Sequence, residues 1–337
     1  MITISLCMIV KNEESILARC LDSVAGLMDE IIIVDTGSTD RTREVAAKYT
    51  DRVFDFQWVD DFSAARNYAF SKAAMEYIYS ADADEVMDQE NQERFRVLKE
   101  TLLPEIEIVQ MKYANQLQFQ TVYNFDEEYR PKLFKRKRDF IWEGPIHETV
   151  RLAPLVFDSD IVITHMAEGD HAKRDLAGFH KHCSAGYRPD KRLHNLYARE
   201  LMMAGDVEDF ARAADFFRVS AADGERDGEE IAEACCVVAR AARLSGDVIS
   251  FFKYASKVIA EEACSEICCE LGQFYEDQQD PEEAAVWYYN AVYETQPILD
   301  IRSGGKTGLE GLIRCYEKLE CDEQAKLYRE ELEKTVK

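Results

Sequence analysis

The sequence predicts an α/β domain with a mainly parallel sheet, followed by an all-α domain of helical repeats. From residue 2 to residue 101, apolar segments with strand character alternate with amphipathic helices. This order is typical of a parallel sheet covered by helices on both faces. From residue 192 onward, proline almost disappears and helix pairs follow one another. We therefore expect one domain at 1–180 and a second at 190–337.

Length and charge narrow the class of protein. The chain has 337 residues, 47% of them hydrophobic, which is enough to bury two cores without disulfide or metal support. Its net charge is −24, from 65 acidic and 41 basic residues. This excess argues against a general nucleic-acid binder and against docking on an anionic membrane surface.

The cysteines and the first residues indicate a cytoplasmic protein. The ten cysteines include adjacent pairs inside helical segments, Cys235/Cys236 and Cys268/Cys269, which are typical of reduced apolar residues. Residues 1–10 have strand character and lack the basic region of a signal peptide. No apolar run reaches the ~18 residues of a membrane span, so no transmembrane segment is expected.

The elements of the first domain follow from apolar periodicity. Strands are predicted at 2–10, 30–34, 52–56 and 76–80, and helices at 15–24, 41–48, 62–74 and 90–101. Further strands are predicted at 105–113, 117–125, 132–141 and 154–165. These later strands are expected either to extend the sheet or to form a small β platform over the same edge.

Polar clusters follow three of the predicted strands, at Lys11–Glu14, Asp35–Asp40 and Asp82–Glu85. Ligands of parallel sheets bind beyond the carboxyl ends of the strands, so these clusters predict one site. Two carboxylates one residue apart, Asp82 and Asp84, suit Mn²⁺ or Mg²⁺ and leave coordination positions open for phosphate. The plain alternative is a pair of solvated acids.

The cluster at Asp35 offers backbone N–H groups and a helix N-terminus, both suited to an anionic or hydroxyl-bearing ligand. Asp35 itself can accept hydrogen bonds from the ribose or base of a nucleoside. The alternative is a helix cap or an Asx turn. The sequence contains neither a P-loop nor a dinucleotide-binding glycine motif.

The second domain divides into helix pairs that turn at Asp206, Asp247, Asp280 and Asp322, in steps of 41, 33 and 42 residues. The unit with Leu271, Gly272 and Tyr275, followed by Ala284, Ala285 and Tyr289, resembles a tetratricopeptide repeat. Such repeats stack into an array with a concave face. The alternative is a helical bundle that serves only stability or dimerisation.

Four ordered segments resemble the family 2 glycosyltransferases: 5–14, 30–42, 58–69 and 82–85. The most similar branch has a tetratricopeptide-like tail and includes bacterial cell-surface sugar transferases and bacteriocin-peptide S-glycosyltransferases. The resemblance spans residues 1–170. It implies a GT-A fold, a nucleotide-sugar donor (most often a UDP-sugar), a divalent metal and inversion at the anomeric carbon.

The resemblance also implies roles for individual residues. It implies donor contacts for Glu13, Asp35, Arg66, Asn67 and Asp82, and the polar clusters and the basic segment add Lys11, Gly37, Ser38 and Arg130 as candidate donor-binding residues. Asp84 is the implied metal ligand, and Asp82 lies near the ribose or the metal. Ser80 departs from the family, which usually has a large apolar residue two positions before the first aspartate.

The segment 142–148 resembles the G-x-[IV]-H-E motif of this branch, and Glu148 is the candidate base, with His147 as a metal or phosphate contact. The two roles are exchangeable, and the alternative is an ordinary turn with a hydrogen-bonded histidine. His165, at a strand end, is the candidate third metal ligand, although a lone histidine there is more often structural. Six bases in the nine residues 130–138 can attract a diphosphate or an acidic acceptor, with Arg130 inward and Lys135–Arg138 solvated.

The expected function is therefore metal-dependent inverting transfer of a sugar to a peptide, protein or saccharide acceptor. The helical domain would present this acceptor or form a homodimer. Two other classes remain open. One is a non-catalytic, transferase-like scaffold whose repeats bind a protein partner, and the other is a nucleotidyltransferase, which the missing phosphate loop disfavours.

Overall fold

The computed structural model describes residues 1–114, 128–136, 142–145, 149–150, 154–166 and 172–335. The chain divides into two compact units, Met1–Asp170 and His171–Lys337. The division lies before residue 180, the predicted end of the first domain, because the helix Ala172–Ser184 packs with the helices that follow it. An α/β unit followed by an all-α unit confirms the predicted fold class.

In its described residues, the first unit contains a mixed sheet of eight strands in the order β3-β2-β1-β4-β7-β6-β10-β5. The strands of the unit are β1 (Ile4–Val10), β2 (Glu30–Asp35), β3 (Val53–Asp55), β4 (Tyr77–Ser80), β5 (Glu85–Val86), β6 (Ile108–Ala114), β7 (Glu128–Lys135), β8 (Trp142–Glu143), β9 (Thr149–Val150) and β10 (Val156–His165). The first four strands are parallel, as are β6 and β10, whereas β7 and β5 run antiparallel to their neighbours. β8 and β9 form a separate antiparallel pair.

Helices cover both faces of this sheet. They are α1 (Leu17–Val24), α2 (Thr42–Ala46), α3 (Phe62–Lys72) and α4 (Gln89–Thr101). Alternate residues of β1 point to opposite faces. Leu6 and Met8 belong to the buried cluster that includes α1 and α4, whereas Cys7 belongs to the cluster that includes α3. This arrangement directs the carboxyl ends of β1, β2 and β4 toward one edge.

β6, β7 and β10 correspond to three of the later predicted strands, and all three join the main sheet. They therefore extend the sheet and do not form a separate β platform. β7 starts earlier than the predicted strand 132–141, and the predicted strand 117–125 lies outside the described residues. The two-residue β5 was not predicted, because it is too short to show any periodicity. The predicted helix 41–48 is also shorter in the structure, over Thr42–Ala46.

In its described residues, the second unit consists mainly of helices, many of which pack against the next helix in the chain. The helices are α5 (Ala172–Ser184), α6 (Lys191–Ala204), α7 (Val207–Ser220), α8 (Gly228–Ser245), α9 (Val248–Glu261), α10 (Ser265–Asp277), α11 (Pro281–Tyr289), α12 (Lys306–Lys318) and α13 (Asp322–Thr335). Five of them begin after an aspartate whose carboxylate accepts a hydrogen bond from the first turn, which fixes the helix start. These capping residues are Asp190, Asp206, Asp227, Asp247 and Asp280.

Small residues lie where α10, α11 and α12 cross, as the repeat pattern predicts. A Cβ atom at Gly272 would lie 2.9 Å from the ring of Tyr288, and one at Gly311 would lie 2.5 Å from it. Tyr288 is 1% exposed, so the two glycines make room for the central side chain of the crossing. The sequence instead singled out Tyr289, which is 43% exposed.

Candidate active site at the edge of the sheet

The loops after β1 and β2 form one cross-linked wall of the candidate site. Val10 and Asp35, the last residues of these strands, are register partners. Asn12 has a left-handed backbone (φ 57°), and its Oδ1 accepts a hydrogen bond of 2.8 Å from the N–H of Thr39. The N–H of Glu13 donates to Oγ1 of Thr42 over 2.7 Å. These bonds fix two of the three predicted polar clusters next to each other.

Asp35 makes a local turn with one carboxylate oxygen and leaves the other without a partner. Its Oδ1 accepts hydrogen bonds from the N–H groups of Gly37 (3.0 Å) and Ser38 (2.9 Å). Gly37 has φ 108°, a conformation that favours glycine. The Oδ2 atom is buried and has no hydrogen-bond partner among the described residues. Asp35 can therefore form the Asx turn with Oδ1 and still accept a hydrogen bond from a ligand with Oδ2.

Asp82 is neutralised by the protein itself. Nη2 of Arg66 donates to Oδ1 of Asp82 over 2.8 Å, and Nη1 of the same guanidinium donates to Oγ of Ser80 over 3.1 Å. Burial favours a raised pKa for Asp82, but the charges of Arg66 and Lys132 outweigh it and hold that pKa well below its usual range. The small polar Ser80 thus accommodates the arginine where a large apolar residue would exclude this bond.

Asp84 faces a different partner, His165. Nε2 of His165 lies 3.1 Å from Oδ2 of Asp84, and both side chains are largely buried. The N–H of Met166 donates to the carbonyl of Asp84 over 2.8 Å, and Glu85 pairs with His165 across β5 and β10. The remaining oxygen of Asp84, Oδ1, is buried without a hydrogen-bond partner in the described part of the chain.

The predicted metal ligands Asp82, Asp84 and His165 do not converge as a set of three. Within the described residues, no three histidine, cysteine or acidic side chains come together in a way that could hold a metal ion. The chemistry of Asp84 and His165 nevertheless fits a divalent cation, since Oδ1 of Asp84 has no hydrogen-bond partner in the described residues, and carboxylate and imidazole groups both bind such ions. Such an ion would take its other ligands from water or from a bound diphosphate.

A buried ion pair that the sequence did not reveal lies beside the two aspartates. Nζ of Lys132, on β7, bonds Oε1 of Glu85, and the two residues are 6% and 2% exposed. Burial raises the pKa of Glu85 to about 7, against the opposing charge of Lys132. Only the position of Glu85 directly after the Asp-x-Asp motif signals this pair in the sequence.

Lys132, and not Arg130, is the deeply buried base of the segment 130–138. The guanidinium of Arg130 lies 4.0 Å from the centre of the Tyr113 ring, and its Nε bonds Oε1 of Glu128. Arg136 is exposed, as expected for a solvated base. Residues 137 and 138 lie outside the described residues.

α3 carries a second predicted donor-binding residue, Asn67, one position after Arg66. The side-chain amide of Asn67 bonds the backbone of Trp142 twice, at 2.9 Å and 3.1 Å. Its polar atoms therefore contact β8, while the neighbouring Arg66 contacts Asp82. The resemblance implied donor contacts for both residues, and only Arg66 touches one of the strand-end aspartates.

Comparison with known proteins identifies the first unit. Residues 5–153 match the family model described as glycosyl transferase family 2. The first unit is a family 2 glycosyltransferase domain. No helix in the described part of the chain is long and apolar enough to cross a membrane.

Two relatives and one solved structure illustrate the similarity. The chain is 35% identical over 162 residues to a TPR repeat-containing protein of Synechococcus elongatus, and 38% identical over 91 residues to the glycosyltransferase SunS of Bacillus subtilis. The matches cover 44% and 26% of this chain but only 36% and 22% of those proteins. Glucosyl-3-phosphoglycerate synthase from Mycobacterium tuberculosis, solved with Mn²⁺ and UDP-glucose, aligns with a TM-score of 0.41 at 14% identity, over 56% of this chain and 81% of that chain.

In the glycosyltransferase domain, the structure brings Asp35, Gly37, Ser38 and Glu13 together on the wall formed by the first two loops. Lys11 follows β1 and is exposed. The candidate catalytic residues His147 and Glu148 lie outside the described residues, in the segment that joins Pro145 to Thr149.

Proposed function

We propose that this chain is a metal-dependent inverting glycosyltransferase that uses a UDP-sugar as donor. The observation that carries the proposal is a pair of buried carboxylate oxygens, Oδ2 of Asp35 and Oδ1 of Asp84, that have no hydrogen-bond partner among the described residues and lie at strand ends of the same domain. Leaving buried acceptors unsatisfied costs about 1–3 kcal/mol each, so they mark positions where a ligand supplies the missing bonds.

The roles follow from the chemistry of each group. Oδ2 of Asp35 accepts a hydrogen bond from the base or ribose of the nucleotide. Asp84 and His165 would hold Mn²⁺ or Mg²⁺, and the bound ion would supply positive charge to the diphosphate leaving group. The guanidinium of Arg66, anchored by Ser80 and Asp82, adds a fixed cation at the same edge.

Transfer to a hydroxyl or thiol acceptor also requires removal of a proton. We assign this step to Glu148, with His147 as the contact to metal or phosphate, because the motif around them resembles that of the family. The base accepts the acceptor's proton as the new bond to the anomeric carbon forms and the bond to the diphosphate breaks.

The helical unit is assigned to the acceptor, a peptide, protein or saccharide. Its stacked hairpins, with capped helix starts and small residues at the α10–α12 crossing, have the character of a repeat array that presents a surface to a partner. All ten cysteines are free thiols, which fits action in the reducing cytoplasm.

A thermal-shift panel tests the proposal without knowledge of the acceptor. The purified chain is heated with UDP-, GDP-, CMP- and dTDP-sugars, each with Mn²⁺ or with EDTA. A ligand that binds the native state raises the melting temperature by mass action. We expect a UDP-sugar with Mn²⁺ to give the largest rise. No rise with any nucleotide would reject the donor site and support the scaffold alternative.

A further inference from the structure

Asn67 uses both ends of its side-chain amide on a single backbone residue. Its Nδ2 donates to the carbonyl oxygen of Trp142 over 3.1 Å, and its Oδ1 accepts from the N–H of Trp142 over 2.9 Å. An antiparallel strand partner makes this same pair of bonds. On its other side, β8 pairs with β9, with Trp142 opposite Val150. Asn67 thus takes the place of a third strand along the outer edge of this hairpin.

Two further contacts from α3 hold the same segment. The guanidinium carbon of Arg66 lies 5.0 Å from the centre of the Trp142 ring, and the N–H of Phe62 donates to the carbonyl of Pro145 over 3.3 Å. The ring of Trp142 also packs 5.9 Å from Phe70, and it belongs to the buried cluster on that face of the sheet. α3 therefore fixes the backbone of Trp142–Pro145 at both of its ends.

We propose that Asn67 is a positioning residue for the catalytic segment, and not the donor ligand that the family resemblance implies. This inference rests on the proposed function. Both polar atoms of the amide are engaged with the backbone of β8. The sequence places His147 and Glu148 between Pro145 and Thr149, so Asn67 holds the start of the segment whose motif supplies the proposed base.

The placement of α3 explains why this matters for turnover. The helix presents Arg66 to Asp82 and Asn67 to Trp142. One element therefore contacts both a strand-end aspartate and the start of the segment that carries the proposed base. A displacement of a catalytic group by about 1 Å lowers turnover by roughly 10²-fold. Both polar atoms of the Asn67 amide bond Trp142, so we expect donor affinity to be independent of Asn67.

The experiment compares Asn67→Ala and Asn67→Asp with the control Ser71→Ala. Asn67→Asp keeps the size of the side chain and the acceptor for the Trp142 N–H, but it cannot donate to the Trp142 carbonyl. Ser71 is exposed on the same helix, and its hydroxyl donates to the carbonyl of Tyr68 in the preceding turn. Three quantities are measured: UDP affinity with Mn²⁺, UDP release from the UDP-sugar that stabilises the wild type most, and amide hydrogen exchange in 142–150.

We expect Asn67→Ala to speed amide exchange in 142–150 and to lower kcat by about 10²-fold, with UDP affinity and donor KM within about twofold of wild type. Asn67→Asp gives the same changes to a smaller degree, and Ser71→Ala gives none. A loss of UDP affinity that matches the loss of turnover, with unchanged exchange, would make Asn67 a donor ligand and overturn the inference. Unchanged exchange and unchanged turnover would overturn it as well.

Failure of the proposed function gives a different result. If the wild-type chain neither binds UDP nor releases it, the glycosyltransferase proposal is rejected. Amide exchange still tests the hydrogen bonds between Asn67 and the backbone of Trp142 in that case. Faster exchange in Asn67→Ala, but not in Ser71→Ala, supports the role of these bonds in fixing Trp142, and equal exchange rejects it.

Discussion

Nη2 of Arg66 and Oδ1 of Asp82 are joined by a hydrogen bond of 2.8 Å, whereas Asp84, two residues on, faces His165. The two acids of one short motif therefore have different partners. The first is neutralised by an arginine of the chain itself. The second keeps a buried oxygen without a partner among the described residues, and it is the better candidate to bind a metal.

Replacing Arg66 tests the first of these relationships. Arg66→Gln removes one of the positive charges that lower the pKa of Asp82, so that pKa rises toward its ordinary value. Loss of the hydrogen bond is expected to lower the free energy of unfolding by about 1 kcal/mol, because the Asp82 side chain is 38% exposed and solvent screens the pair. Chemical denaturation of the two proteins at neutral pH measures the difference. Equal stability, together with equal UDP release, would show that the pair has no role.

Ser80 offers a separate test of the same arrangement. Ser80→Leu restores the large apolar residue usual in the family and removes the hydroxyl that accepts from Nη1 of Arg66. We expect the side chain to displace the guanidinium, so that UDP release falls in Ser80→Leu as it does in Arg66→Gln. The double variant should be no worse than either single variant, because both remove one interaction. Additive losses would contradict this coupling.

Two substitutions of Asp35 distinguish its role in the local turn from its role in ligand binding. Asp35→Asn retains Oδ1 as the acceptor for the N–H groups of Gly37 and Ser38, but it replaces Oδ2, which has no partner among the described residues, with an amide NH₂ group that donates instead of accepting. We expect nucleotide affinity to fall about tenfold or more, because one hydrogen bond to a charged group contributes about 1.5–3 kcal/mol. The melting temperature without ligand should change little. Asp35→Ala, the matched comparison, should lose both the turn and the affinity.

The helix crossing in the second unit predicts a strong effect of one methyl group. Gly311→Ala places a Cβ atom 2.5 Å from the ring of Tyr288, which must move. Overpacking of this kind costs about 1–3 kcal/mol. Gly224→Ala is a suitable control, because a Cβ there has no neighbouring atom within 4 Å. Thermal unfolding should show a lower midpoint for Gly311→Ala only, and an unchanged midpoint would contradict the close crossing.

Glu276 predicts a pH dependence of stability. Burial favours a raised pKa for this carboxyl, but hydrogen bonds from Arg314 and Lys318 outweigh it and hold the pKa below its ordinary value. A lowered folded-state pKa contributes stability that is present above the unfolded-state pKa and is lost as pH falls through the folded-state value. The stability difference between wild type and Glu276→Gln should therefore be largest near neutral pH and shrink in acid. A constant difference would contradict it.

The strand-end residues of the site could be predicted because parallel strands bring their carboxyl ends to one edge. Asp35 ends β2, and Asp82 and Asp84 lie shortly after the end of β4, so their neighbourhood depends on strand order alone. The pairing of Lys132 with Glu85 could not be predicted in this way. It depends on the insertion of antiparallel β7 between β4 and β6, in a register that sequence periodicity does not specify.

The hydrogen bonds of Asn67 also could not be predicted from the sequence, because they join residues far apart in the chain. Its partner Trp142 lies 75 residues further along the chain, in a two-residue strand. A family motif identifies Asn67 as a functional residue, but only the fold shows which atoms it bonds. The aspartate caps of the helical unit, such as Asp206 and Asp247, are local by contrast, and the sequence marks them correctly.

The most direct test of the central claim is calorimetric titration of UDP into the wild-type chain and into Asp84→Asn, each with and without Mn²⁺. The amide can still bond His165 but lacks the negative charge that a divalent cation requires. Asp160→Asn, on an exposed side chain of the same domain, is the charge-matched control. We expect Mn²⁺-dependent UDP binding in the wild type and in Asp160→Asn. In Asp84→Asn, the affinity for UDP in the presence of Mn²⁺ should fall tenfold or more. Equal, Mn²⁺-independent binding in all three proteins, or no binding in any of them, would contradict it.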